Sequence, residues 1–269
     1  LARGKAKAYR IACVSNIGNV FKAGLMFGQD NGERLPWQLT RTRVIEHIQA
    51  SPGNYPYGQI NKVGLGTGGS TELSNEVFAT NLSLMAGNCF SIAAMKVELV
   101  TPTILLSPCD AARKAANIVL QGKWEDINTK VDGGSKIATV AEGASYCLVR
   151  GADTLRPDSI YSITRNWSSM ETAWASGFLA SIPAAGGSLS ESGSSWVGND
   201  DANATTSSRV VAGLSSSTGQ LVLMDGSARQ SVGSDLGASG TFTKAAYKAT
   251  GGLSQGKTSM AVIRGTGLD

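Results

Sequence analysis

The sequence predicts an α+β fold in which a long N-terminal amphipathic helix packs on an antiparallel, β-rich head. Three observations predict it. Apolar residues recur at helical spacing between residues 10 and 28, and β-branched, alternating runs dominate the chain after residue 135. The joins between those runs are short and rich in Gly, Ser and Asn, too short for the crossover helices of a parallel sheet.

In the first element, Ile11, Val14, Gly18, Phe21 and Leu25 recur every three or four residues, and Cys13, Ile17, Val20, Gly24 and Phe27 form a second row beside them. Arg10, Ser15, Asn16, Asn19 and Lys22 fall on the opposite side. The helix is expected from near Arg3 to near Gln29, closing where Asn31 or Gly32 takes a left-handed conformation. Residues 1–30 are thus read as a helical stalk and 31–269 as the head, with a second helix near 74–99. The apolar stripe is broader than one head needs, and glycines admit a close neighbour. Ile11, Val14, Ile17, Gly18, Phe21, Gly24 and Leu25 are therefore the candidate assembly face.

The second helix is expected to break at Thr101-Pro102 and to pass into a strand over Thr103–Leu106. "KIATVAEGASYCLVRG", "SIYSITRNW" and "SRVVAGL" read as strands, and the Ser/Gly-rich stretch 185–218 as a long ordered surface loop. In "GQLVLMDGSARQ", Asp225-Gly226 predicts a hairpin with a type I′ turn.

Composition limits the function classes. Hydrophobic content of 42% supports a real core, and 16% charged residues with 33 glycines suit a turn-rich β body. A net charge of +4, with Lys and Arg scattered after residue 7, argues against a nucleic-acid partner. No run of about 18–20 apolar residues of the kind that crosses a bilayer stands out. Cys13, Cys89, Cys109 and Cys147 are far apart with no C-x-x-C pair, which argues against zinc. They leave open two disulfides in any of three pairings, or four reduced core residues. The single histidine, His47, lies near no nucleophile elbow, and "GLGTGG" at 64–69 lacks the lysine of a phosphate loop. The chain reads as non-catalytic. Trp167, Trp174 and Trp196 are the residues a glycan-binding module would use.

Four stretches, in order along the chain, carry a resemblance: "LARGKAKAYRIACVSNIGNVFKAGLMFGQDNGERLPWQ" at the start, "MKVELVTPTILLSPCD" at 95–110, "SYCLVRGADTLRPDSIYSITRN" at 145–166 and "GQLVLMDGSARQ" at 219–230. Together they resemble prepilin-type, type II secretion major pseudopilin-like proteins of the Verrucomicrobia and Planctomycetes. The resemblance implies a pilin-like fold and a structural subunit of a type IV pilus-like or type II secretion pseudopilus filament. It also implies that Leu1 is the cut end of a longer helix whose hydrophobic, membrane-anchoring first half is missing here. The implied partners are copies of the chain, other pilin-like subunits and an inner-membrane assembly machinery, with an extracellular or periplasmic location. The last of the four stretches corresponds to the family's terminal hairpin. Ser107-Pro108-Cys109 departs from the family's Cys-before-Pro pattern, so no disulfide carries over. Major pseudopilins hold calcium in a C-terminal loop, and Asn199, Asp200, Asp201 and Asn203 offer clustered oxygen donors of that kind. Calcium is the one cofactor candidate. Two alternatives stand beside the filament: a self-assembling coat or shell subunit, such as a virus capsid or surface lattice, and an exported glycan-binding module.

Overall fold

The computed structural model describes residues 2–35, 43, 93–111, 145–149, 152, 154–168, 188–190, 195–198, 211–215, 217–235 and 259–263. Helix α1 runs Ala2–Asp30 and α2 runs Ala93–Leu99, so the part of the second predicted helix over 74–92 lies outside the described residues. The strands are β1 (Tyr146–Val149), β2 (Ile160–Thr164), β3 (Trp167–Ser168), β4 (Ser188–Ser190), β5 (Ser195–Trp196), β6 (Thr218–Leu223), β7 (Ala228–Val232) and β8 (Ser259–Ile263). Six of them form one antiparallel sheet in the order β4-β8-β1-β2-β6-β7, while β3 and β5 pair separately. The α+β architecture, with an N-terminal helix and an antiparallel sheet, is as predicted.

α1 lies on the sheet against β2, β6 and β7 and is flanked by α2. Ile17, Val20, Phe21 and Phe27 are buried in this contact, as their shared spacing requires. The helix ends in a Schellman motif. Gly32 takes φ +67°, the Glu33 amide donates to the Gly28 carbonyl at 2.8 Å, and Asn31 Nδ2 donates to the Phe27 carbonyl at 2.8 Å. This satisfies carbonyls that the last turn would leave bare.

The sheet is covered on both faces where it matters. Gln220 reaches toward α1, its Nε2 donating to the Arg10 carbonyl at 3.1 Å. Gly219, one residue along and so on the opposite face, is overlain by the Trp196 indole, whose Nε1 donates to Ser231 Oγ at 3.0 Å. Every residue of β1 and β2 is therefore buried, and the clean alternation of a one-sided sheet is absent.

Several local expectations are corrected. Thr103–Leu106 is not a strand: Pro102–Leu105 forms a 3₁₀ turn with Pro at its start, and Thr101 Oγ1 caps it by accepting from the Thr103 amide. Val211–Leu214 is a turn closed by the Leu214 amide on the Val211 carbonyl at 2.8 Å, not part of a strand. The Ser/Gly-rich stretch supplies β4 and β5 rather than loop alone, because backbone pairing to β8 and β3 outweighs a composition poor in β-formers. The hairpin at Asp225-Gly226 exists but is not type I′. Only Gly226 has positive φ, at +83°, and its amide donates to the Leu223 carbonyl at 3.0 Å. The loop Met224–Gly226 is therefore a type I turn followed by a left-handed glycine. Nor is this hairpin terminal, since β8 follows it and inserts between β4 and β1.

Candidate assembly surface

The seven residues of the predicted assembly face divide along the helix. Ile17, Phe21 and Gly24 are buried against the chain's own sheet; Val14, Gly18 and Leu25 are half-buried; Ile11 is 62% exposed. Phe21 meets Tyr161 edge-on, with ring centroids 5.5 Å apart. A Cβ on Gly24 would overlap the Tyr161 phenol, and one on Gly18 would lie 3.5 Å from Ala228 Cβ. The closeness these glycines permit is thus helix-to-sheet within one chain. Ile17, Phe21 and Gly24 are thus corrected from a face for a partner to part of the head's own core, and Ile11 alone of the seven is exposed.

That end is exposed without a break from Ala2 to Tyr9, and Ile11 continues it. It bears Arg3, Lys5, Lys7 and Arg10, and α1 contains no acidic residue before Asp30. Lys5 Nζ sits 5.5 Å from the Tyr9 ring centroid, in cation–π range. Between this part of α1 and β7 lies an open groove of about 630 Å³, lined by Arg3, Ala6, Lys7, Arg10, Ile11, Val14 and Gln230. Apolar and cationic groups share its walls. By length and mean hydropathy, 1.2 over its best window, α1 does reach the range of a membrane-crossing helix, contrary to the reading from sequence. Nearly half of that window is buried inside the protein, as in a core helix.

Under the helix lie two polar features that sequence reasoning missed. Arg165 Nε and Nη2 donate to the two carboxylate oxygens of Asp110 at 2.6 and 2.8 Å, a bidentate pair in which both side chains are buried. It joins the segment after the 3₁₀ turn to the end of β2. Beside it, Cys13 and Cys109 share a buried cluster with Val211 and Leu214, and Cys13 Sγ meets Ser107 Oγ. The Cys109 hydrogen bond, helped by Ser107 and opposed by burial, lowers Cys13 to about 7; the same contact with Cys13, with burial, pushes Cys109 far up. Tyr146, whose hydroxyl donates to the Cys13 carbonyl at 3.4 Å, is raised by burial first and by the nearby Cys13 charge second. The signal for both features was faint: lone polar residues whose partners lie far away in sequence.

The calcium candidates Asn199, Asp200, Asp201 and Asn203 lie outside the described residues, as do His47, the 64–69 glycines and Trp174. Among the described residues no group of three or more His, Cys, Asp or Glu is placed to hold a metal. Trp196 is 3% exposed and hydrogen-bonded, so it offers no open platform for a sugar ring. No protein-family model, curated protein or solved structure matches the chain.

Proposed function

We propose that the chain is a non-catalytic structural subunit of a pilin-like filament, of the type IV pilus or type II secretion pseudopilus kind. The observation that carries this reading is the divided helix. From Cys13 to Gly28 its buried residues belong to the head, whereas from Ala2 to Ile11 it presents a cationic and apolar surface with an adjoining groove. Tyr9 and Ile11 turn outward there beside the groove, which gives a neighbouring helix apolar surface to cover. In this reading the exposed part packs beside other copies and the β-rich head forms the outside. Subunits are held in the inner membrane before assembly and function in the periplasm or outside the cell.

The test is immunogold electron microscopy, with an antibody to the head, of the cells that make the protein and of the material sheared from them. Label spaced along thin filaments is the expected result. Label on closed particles or flat lattices would replace the filament with a shell, and label on no assembly would overturn both.

A further inference from the structure

We propose that Cys13 and Cys109 are the two halves of a disulfide that staples helix α1 to the head. The placement of the two thiols carries the inference. Cys13 sits on α1 and Cys109 in the turn after the 3₁₀ segment, and both are buried in one cluster with Val211 and Leu214. Both are free thiols packed in that one cluster. Ser107 lies between the two residues, its Oγ against Cys13 Sγ and accepting from the Cys109 amide at 3.1 Å.

Cys109 is also held from behind. The Gly213 amide donates to its carbonyl at 2.9 Å, and a Cβ on Gly213 would come within 2.8 Å of Cys109 Cβ, so the backbones are in close contact. Gly213 in turn accepts from Arg10 Nε on α1. Cys147 lies elsewhere, in β1 opposite Ile163. Of the three pairings open to four cysteines, the fold thus favours the one containing Cys13–Cys109.

The step is thiol–disulfide exchange with a low-molecular-weight or protein disulfide as oxidant. One cysteine thiolate attacks a sulfur of that disulfide, whose S–S bond breaks and releases one oxidant thiolate. The second cysteine, losing its proton, attacks the first, and the second oxidant thiolate leaves. Two cysteines are oxidised and one disulfide is reduced to two thiols, which take up the two protons. Both sulfurs are buried, so exchange occurs before α1 closes on the head, and the finished bond resists reductant until the helix lifts. The bond closes a long loop, the case in which a crosslink restricts the unfolded chain most.

The inference stands apart from the filament reading and is tested on the purified chain. The urea-unfolded, reduced protein is refolded in a mixture of reduced and oxidised glutathione, its free thiols are alkylated, and the digest is mapped by mass spectrometry. A bridged peptide joining Cys13 to Cys109 is expected, and the oxidised protein should melt about 10 °C above the same protein kept in reductant. Cys13→Ser and Cys109→Ser should each abolish that difference; if either fails to fold, the wild-type map alone decides. Both cysteines alkylated, either one bridged to Cys89, Cys147 or another chain, or equal melting with and without reductant would overturn the proposal.

Discussion

Gly226 holds φ +83° at the end of the Met224–Gly226 loop, and Phe21 Cε1 stands 3.2 Å from where its Cβ would be. Asp225 contributes differently: it is exposed, and its Oδ1 accepts from the Ser227 amide at 2.7 Å, which an asparagine oxygen does as well. Gly226→Val should therefore cost about 1–3 kcal/mol and Asp225→Asn about 0.5 kcal/mol or less. Melting curves of the two variants check this, and the reverse order would mean that the carboxylate has a role beyond the turn. The Asp-Gly pair was legible in the sequence as a reversal. The turn type was not, because it depends on how many residues separate the last paired positions. The reduced cysteine pair makes a second prediction at this scale. Cys13 is lowered from 9.0 to about 7, so its contribution to stability is full above pH 9 and is lost as pH falls through 7. Cys109 is raised, so its contribution is full below pH 9 and is lost as pH rises beyond it. In reductant, stability should thus rise by about 1–2 kcal/mol from pH 7 to pH 9 and fall above that. Urea midpoints across the range measure it, and a steady decline from pH 7 would show that burial outweighs the hydrogen bonds to the Cys13 sulfur.

Helix α1 was legible almost to the residue, since its apolar rows, the absence of proline and the Asn-Gly stop all point to one answer. What its glycines face was not legible, because an apolar stripe has the same period whether a sheet or another helix covers it. Gly24 shows the difference. Its missing side chain leaves room for the Tyr161 phenol, so Gly24→Ala should lose about 1–3 kcal/mol through overpacking despite alanine's better helix propensity. Tyr161→Phe removes the nearest atom of the clash, and a double-mutant cycle should show a favourable coupling of about 1 kcal/mol between the two changes. Additive losses would mean that Gly24 matters for something outside this chain. The strand misread at Thr103–Leu106 has a similar origin. Thr, Ile and Leu suit a strand, yet Pro102 fixes a helical φ and Thr101 supplies a cap, and these local constraints prevail.

At the scale of the whole molecule, the hairpin β6–β7 and the central strands β1 and β2 were visible as alternating or β-branched runs. Strands β4 and β8 were not: β4, at the sheet edge, is Ser-Leu-Ser, and β8 lies in a Gly-rich tail. Their order in the sheet, with the late β8 placed beside β1, is a long-range pairing that periodicity does not encode. The buried Asp110–Arg165 pair belongs here too, since it joins segments that no local pattern relates. The result is a head that buries Ile17, Phe21 and Gly24 of the candidate assembly face and leaves the basic, apolar start of α1 exposed. In the proposed filament, copies meet through that start. The direct measurement is crosslinking with a thiol-reactive bifunctional reagent in the cells that make the protein, comparing Ile11→Cys with Ala212→Cys, a position exposed on the head. Crosslinked dimers are expected from Ile11→Cys and none from Ala212→Cys, since one accessible thiol per copy can be joined only once. Dimers only from the head position, or an Ile11→Cys thiol that is labelled yet never crosslinks, would overturn the filament reading.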